Sequence, residues 1–294
     1  MPSSIVCQNL CFDYEYDDEA PVEVLKNVSV EIKEGEFVAL VGKNGCGKST
    51  LAKHFNAILL PKSGRVLIDG MDTTDEDSVI KIREKVGLVL QNPDNQIVAT
   101  IVEEDVAFGP ENLGIPPLEI RERVDWALKA VGMYEFRESA PHKLSGGQKQ
   151  RVAVASVIAM RPKFIILDEP TAMLDPRGRS EVMDCITSLN KDYGLSIVLI
   201  THNMDEAALA DRIIAMEDGR IVMDAPPDEV FTHIEAIRAL GLDVPPVTQL
   251  AFDLRKNGID MPQDILHVNQ CVRAVLRHLQ PVEGGADIFG NDKY

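Results

Sequence analysis

Apolar and polar positions along the chain change their period repeatedly, and the sequence of periods outlines a fold. At Ser4 to Phe12 and Val28 to Ile32 they alternate residue by residue, as half-buried strands do. An acidic loop, Glu15 to Glu19, separates the two. Glu36-Phe37-Val38-Ala39-Leu40-Val41 is instead a short continuous apolar run suited to a fully buried strand, and Ser49 to Asn56 opens a helix. Gly64 to Ile68 predicts a strand ended by an Asp69-Gly70 turn, Asp77 to Lys85 a short helix, and Val86 to Leu90 another buried strand. Pro93 and its Asn and Asp neighbours then mark a loop, with Thr100 placed to cap the helix that follows over 101–109.

Helical spacing returns at Leu118, Val124, Leu128 and Val131, which predicts an amphipathic helix over 117–131 with Trp126 as a core residue. The Gly-rich stretch Leu144 to Gln148 feeds a further helix, 149–160. Phe164 to Leu167 and Ser196 to Ile200 read as buried strands flanking a helix over 178–191. Asp211 to Glu217 and Arg220 to Asp224, joined through Asp218-Gly219, read as a hairpin. From Asp228 to about Leu279 only short helices are expected, punctuated by Pro245-Pro246, Gly258 and Pro262, and the polar tail from Pro281 to Tyr294 is expected to fray. Because strands alternate with helices from Val38 onward, the main domain is predicted to be α/β with a largely parallel central sheet.

The chain's 294 residues suffice for one large α/β domain and a smaller unit. A net charge of −17 argues against a broad nucleic-acid surface and against adsorption to anionic lipid. No apolar run is long enough to cross a bilayer, so direct membrane insertion is not expected, and membrane association would run through a protein partner. The N-terminus lacks the basic and apolar regions of a signal peptide, which points to an intracellular protein. Cys7, Cys11, Cys46, Cys185 and Cys271 lack the paired spacing of a zinc site or a disulfide framework.

Chemistry concentrates where strands end. Gly42-Lys43-Asn44-Gly45-Cys46-Gly47-Lys48-Ser49-Thr50 satisfies the phosphate-loop pattern in full. Its glycines let backbone N–H groups converge on a phosphate, Lys48 reaches the outer phosphates, and the Ser49 hydroxyl suits Mg²⁺. The apolar run before it and the helix after it supply the strand and the positive helix end that such a loop needs. Asp168-Glu169, two acids closing a buried strand, invite a reading as Mg²⁺ ligand and base, and His202 also sits at a strand end, where ligands of parallel sheets collect. Gln91 ends the strand before the Pro93 loop. Taken alone, Tyr14 reads either as a strand-end aromatic packed on the core or as a flat face for a base, and Ser145-Gly146-Gly147 as a turn or an anion-binding helix start.

The ordered set Tyr14, Gly42 to Ser49, Gln91, Leu144 to Gln148, Phe164 to Glu169, Leu174-Asp175 and His202 resembles the ATP-binding cassette ATPases over roughly Ile5 to Phe231. The resemblance implies that Tyr14 stacks on adenine, that Lys48 and the loop residues hold ATP, and that Ser49, Gln91 and Asp168 arrange Mg²⁺. It implies that Glu169 polarises the attacking water and that His202 contacts the γ-phosphate. Leu144, Ser145, Gly146, Gly147, Gln148 and Asp175 would complete the nucleotide site of an opposite subunit, which makes a lone chain a poor ATPase. The family more often has Ser where this chain has Cys46, so ATP binding is expected to survive with sensitivity to oxidation. The implied division is a cassette over 1–225 with a helical insertion at about 92–160 and an antiparallel β subdomain, a helical C-terminal domain over 226–280, and a tail over 281–294.

The segment Gln91 to Asn112, with Ala172-Met173-Leu174-Asp175-Pro176 and Asp243-Val244-Pro245-Pro246-Val247, is similar to the energy-coupling factor transporters, importers of vitamins and metal ions. Their first ATPase paralogue is the best match. By that resemblance the partners are a second cassette ATPase in a heterodimer, a transmembrane coupling protein and a membrane substrate-binding protein, with this chain peripheral on the cytoplasmic face. The helix near 100–109 would line the groove for the coupling protein, where Glu103, Glu104 and Asp105 could meet arginines, and the C-terminal domain would help hold the ATPases together. A conventional importer ATPase with a C-terminal regulatory domain is the rival, disfavoured by the lack of alternating strands after Asp228. A soluble ATPase acting on DNA or ribosomes would need a second cassette or a coiled-coil insertion, and this chain shows neither.

Overall fold

A computed structural model describes residues 4–15 and 21–278; most of the acidic loop, positions 16–19, and the tail 281–294 lie outside the described residues. The strands are β1 (Ser4–Tyr14), β2 (Val22–Lys33), β3 (Phe37–Gly42), β4 (Ser63–Ile68), β5 (Met71–Asp72), β6 (Val86–Val89), β7 (Phe164–Asp168), β8 (Ser196–Ile200), β9 (Arg212–Glu217) and β10 (Arg220–Ala225). They form an antiparallel sheet in the order β2-β1-β4-β5 and a larger sheet in the order β10-β9-β3-β8-β7-β6. In the larger sheet every pairing is parallel except that of β10 with β9, the expected hairpin, which forms one edge.

The helices are α1 (Lys48–Phe55), α2 (Val79–Lys85), α3 (Val102–Asn112), α4 (Pro117–Ala130), α5 (Gly146–Ile158), α6 (Pro176–Lys191), α7 (Met204–Ala207), α8 (Pro227–Thr232), α9 (Ile234–Ala239), α10 (Pro246–Lys256) and α11 (Val268–His278). Helices α3 to α9 pack into the core on one face of the larger sheet, while α1, α2 and the antiparallel sheet share the core on the other. Strand β3 shows why its sequence lacks alternation. Phe37, Ala39 and Val41 enter the core shared with α3 to α6, and Val38 and Leu40 enter the core shared with α1 and the antiparallel sheet. The parallel strands therefore end side by side, and their carboxyl ends carry the candidate chemistry to one edge.

Phe231, Ile237, Leu242 and Val244 belong to the same core as α3 to α6, whereas Ala251, Met261, Ile265, Cys271 and Ala274 form a separate small cluster between α10 and α11. Trp126 is only partly buried and meets Tyr193 edge-on, with ring centres 5.6 Å apart.

Two expectations from the sequence are corrected around α3. Thr100 does not cap it; the helix begins after Ile101 with no side-chain cap. The first α3 N–H groups donate to carbonyls elsewhere in the chain, Val102 to Ser139 at 3.1 Å and Glu103 to Arg137 at 2.9 Å. Asp105, one turn in, holds the preceding loop, accepting from the N–H groups of Val98 at 2.7 Å and Ala99 at 3.1 Å and from the Ser156 hydroxyl at 2.8 Å. Being 3% exposed, Asp105 is not available to a partner, whereas its neighbours Glu103 and Glu104 line a surface groove. Its removal strands two backbone donors that have no other partner, while the Ser156 hydroxyl keeps the Val152 carbonyl at 3.1 Å as an acceptor, so Asp105→Ala should cost about 3 kcal/mol. A urea midpoint equal to that of the parent would show that this carboxylate does not hold the segment.

Candidate nucleotide site

The phosphate loop crosses from β3 to α1 under close constraint. At Gly47 φ is +105°, and a Cβ there would fall 2.9 Å from Leu25 Cδ2 and 3.0 Å from the Val24 carbonyl oxygen. Strand β2 runs too near for any side chain. Lys48 is 5% exposed, and its Nζ donates to the carbonyls of Gly42 at 2.8 Å and Lys43 at 3.0 Å, so the loop curls around one buried ammonium. Tyr14 stands at the rim, its hydroxyl 3.5 Å from Thr50 Oγ1. Phe12 braces its ring edge-on at 5.0 Å, and His54 braces Phe12 in turn at 4.8 Å. Tyr14 is thus both packed at a strand end and part of the cavity wall.

The acids arrive from the neighbouring strands. Asp168 closes β7 in register with Ile200 of β8, and its Oδ1 accepts from Ser49 Oγ at 3.0 Å. Burial pushes the Asp168 carboxyl above the ordinary carboxylate range, and the adjacent Glu169 adds to the rise, against opposing pulls from Ser49, Lys53 and Lys48. Glu169 itself has φ +48°, a left-handed conformation that costs an L residue about 1–2 kcal/mol. Its N–H donates to the Ile200 carbonyl at 2.9 Å, so the sheet's hydrogen bonding sustains the strained turn. The turn aims its side chain across the strand ends. Oε2 accepts from Gln91 Nε2 at 2.9 Å and lies 3.8 Å from His202 Nδ1. Three strand ends therefore converge on one carboxylate.

A cavity of about 520 Å³ lies here, with Tyr14 and Val24 on one side, Asn44, Gly45 and Gly47 to Thr50 below, and Gln91, Asp168 and Glu169 opposite. The oxygens of Ser49, Asp168, Gln91 and Glu169 form a hard donor set that fits Mg²⁺. Among the described residues no group of three or more His, Cys, Asp or Glu side chains could hold a metal alone. A cation here would complete its shell with phosphate oxygens and water, as Mg²⁺ commonly does.

The second Gly-rich loop is built elsewhere. Ser145 caps α5 in a reciprocal capping box, accepting from the Gln148 N–H at 3.3 Å while Gln148 Oε1 accepts from the Ser145 N–H at 2.9 Å. Leu144 anchors it in the core. Gly146 meets Leu174, and at Gly147 an added Cβ would lie 3.0 Å from Gly178 Cα, so only glycines allow this approach of α5 to α6. Asp175 Oδ1 accepts from the Gly178 N–H at 2.9 Å and caps α6. None of Leu144 to Gln148 or Asp175 lines the cavity of this chain.

Residues 25–172 match the ABC transporter family model. The chain belongs to the ABC transporter family, among its energy-coupling factor ATP-binding proteins. It is 57% identical over 272 residues to the energy-coupling factor transporter ATP-binding protein EcfA1 of Clostridium perfringens, covering 92% of this chain and 97% of that protein. It is 46% identical to the cobalt import ATP-binding protein CbiO of Syntrophus aciditrophicus, over 92% and 95% of the two chains. The solved structure of cbiO1 from Clostridium perfringens, part of the ABC transporter complex cbiONQ, superposes with a TM-score of 0.73 at 40% identity, covering 88% of this chain and 98% of that one. A dimeric post-hydrolysis state of the cassette MJ0796 bound to ADP and Pi superposes with a TM-score of 0.67 at 34% identity, covering 76% and 98%.

Two glutamines of this ABC ATPase escape a reading based on strand ends. Gln96 Oε1 accepts from the Leu90 N–H at 3.0 Å while its Nε2 donates to the Ala153 carbonyl at 2.8 Å, and Gln150 Nε2 donates to the Leu90 carbonyl at 3.3 Å. They tie the Gln91 loop to α5, the helix that starts at the second Gly-rich loop. Gln150 sits in a run that reads only as helix, so its sequence carried no signal. Between α3 and α4 the cassette has a groove of about 500 Å³ lined by Glu103, Glu104, Phe108, Glu111, Ile120 and Arg121. Phe108 is 53% exposed there, and Arg121 already pairs with Glu103 at 2.8 Å.

Cys46 corrects the expected oxidation sensitivity. It is 7% exposed, and burial raises its thiol above the usual range, with Lys48 only partly offsetting the rise. A protonated, covered thiol is a poor nucleophile. Labelling of the folded protein with a maleimide should leave Cys46 unmodified at neutral pH and modify it only after denaturation, as peptide mass spectrometry would report. Rapid labelling in the native state would contradict this packing.

Proposed function

We propose that this chain is the ATP-hydrolysing subunit of an energy-coupling factor transporter, powering uptake of vitamins or metal ions by closure of an ATPase dimer against a transmembrane coupling protein. The observation that carries the enzymatic part is the convergence of Gln91, Glu169 and His202 beside the phosphate loop and the Ser49–Asp168 pair. Lys48 and the loop amides hold the phosphates of ATP, and Tyr14 offers its ring to adenine. Mg²⁺ held by Ser49, Asp168 and Gln91 would neutralise charge on the phosphate oxygens. Glu169 takes the proton of the attacking water, Gln91 and His202 orient its carboxylate, and His202 faces the γ-phosphate.

Leu144 to Gln148 and Asp175 serve the nucleotide of a second cassette, a heterodimeric partner. This is supported by their seat away from the chain's own cavity and by the dimeric form of the related MJ0796 cassette. The α3–α4 groove, acidic and floored by exposed Phe108, receives the coupling protein, which in turn holds a membrane substrate-binding protein. Of the C-terminal domain expected over 226–280, the α10–α11 part, which packs on its own small cluster, helps hold the dimer, supported by the apolar stripe Val268, Val272 and Leu276 exposed at four-residue spacing on α11. No helix among the described residues is long and apolar enough to cross a membrane, which fits a peripheral subunit on the cytoplasmic face.

Purification of the tagged chain from native membranes in mild detergent, followed by mass spectrometry of stoichiometric companions, tests the assembly. A second cassette ATPase, a multi-spanning protein and small membrane binders are expected. Two conventional permease subunits, or no membrane protein at all, would remove the transporter subclass and leave the ATPase chemistry standing.

A further inference from the structure

Behind the hydrolytic residues lies a carboxylate that the mechanism above does not use. Glu206, on α7, is 3% exposed. Its Oε1 accepts from the Thr171 hydroxyl and its Oε2 from the Thr201 hydroxyl, each at 2.6 Å. Both threonines are themselves buried, at 3% and 2% exposure. Asn203 Nδ2 lies 3.4 Å from Oε1, and Arg179 Nε of α6 lies 3.9 Å from it.

The partners are what give this network meaning. Thr171 stands two residues after Glu169, in a turn closed by the Ala172 N–H on the Glu169 carbonyl and the Leu174 N–H on the Thr171 carbonyl. Thr201 immediately precedes His202, and its Oγ1 also accepts from the Asn203 N–H at 3.0 Å. With its hydrogen committed to Glu206, the Thr201 hydroxyl can only accept from Asn203, so the direction of each bond is set. One buried carboxylate thus holds the loop that carries Glu169 and the loop that carries His202, at a point away from the cavity. The Thr171 turn continues through Leu174 to Asp175, whose neighbours touch Gly146 and Gly147.

We propose that Glu206 is a positioning residue for ATP hydrolysis, setting the spacing of Glu169 and His202 through Thr171 and Thr201. This rests on the assignment of Glu169 as the base. Glu206 touches neither substrate nor reacting atoms. Charge-assisted bonds from two buried hydroxyls hold the loops more firmly than packing alone, and a displacement of about 1 Å at a reacting group can cost about 100-fold in rate.

The test uses the chain assembled with its partner cassette and measures kcat, KM and Kd for ATP, the last by fluorescent-nucleotide titration, in Glu206→Gln, Thr201→Val, Thr201→Ser and Glu169→Gln. Glu206→Gln and Thr201→Val are near-isosteric, so folding is retained and is checked by thermal melting. The expected result is a 10- to 100-fold fall in kcat for both, with Kd for ATP within about twofold of the parent, and recovery of most of the rate in Thr201→Ser, which restores the hydroxyl. Parental kcat in Glu206→Gln and Thr201→Val, equal losses in Thr201→Val and Thr201→Ser, or a fall in kcat matched by lost affinity or lost melting temperature would each overturn the proposal. Glu169→Gln separates the two levels. Were it to hydrolyse ATP at the parental rate, the base assignment would fail, whereas an inactive Glu169→Gln beside fully active Glu206→Gln would overturn only the positioning role.

Discussion

Glu169→Gln is expected to lower ATP turnover by about 10²- to 10⁴-fold, the usual contribution of a positioned general base, with ATP affinity little changed. Gln has the shape of Glu and keeps one acceptor oxygen, so the left-handed turn, the bond from Gln91 and the neighbouring Ser49–Asp168 pair remain in place. What is lost is the negative charge and the basic oxygen that would receive the water's proton. Because binding rests on the phosphate loop, the variant should hold ATP and accumulate as a closed dimer. Single-turnover hydrolysis alongside gel filtration with ATP checks both halves, and hydrolysis at the parental rate would remove Glu169 from the mechanism.

Lys48→Ala is expected to weaken ATP binding by about 100-fold or more, the loss of roughly 3 kcal/mol of charge-assisted contact. Two effects act in the same direction. The ammonium that meets the phosphates disappears, and so do its bonds to the Gly42 and Lys43 carbonyls, which help hold the curl of the loop. Those carbonyls, left without their donor, would favour a loop turned toward water. Titration with a fluorescent nucleotide checks the affinity, and a parental Kd would undo the phosphate-loop assignment. Lys48→Arg should not rescue binding, because a planar guanidinium cannot replace a compact ammonium in a loop this tight.

Much of the site was legible because its parts are local. The phosphate loop needs glycines at particular steps, an ammonium and a hydroxyl, and all of these fall within Gly42 to Thr50. Buried parallel strands declare themselves as uninterrupted apolar runs, since both their faces are covered, and their ends point to where polar residues gather. The helix over 117–131 and the hairpin at Asp218-Gly219 were equally readable from period and turn chemistry. The errors arose where a side chain serves a segment other than its own. Thr100 has the chemistry of a cap, yet the first N–H groups of the helix donate to the Ser139 and Arg137 carbonyls, and Asp105 holds the loop before it with Ser156 of α5 as a further donor. Cys46, where the family more often has Ser, suggests sensitivity to oxidation, yet its sulfur turns inward toward the core beneath the loop.

What the sequence alone determined is the set of local chemistries: a phosphate loop, acids and a histidine at the ends of buried strands, an α/β alternation, and a strongly acidic charge balance. Each follows from backbone conformation or burial within a few residues. The tertiary structure decided which of these act together. The Ser49–Asp168 pair joins residues 119 apart in the chain, Gln91 meets Glu169 across 78, and Thr171 meets Glu206 across 35. No local period encodes such meetings, because they depend on strand order β3-β8-β7-β6 and on a parallel register that brings the carboxyl ends level. Packing also decided that Asp105 and Glu206 are buried and shared between loops while Glu103 and Glu104 face a groove, a distinction that depends on which side of a short helix meets the core.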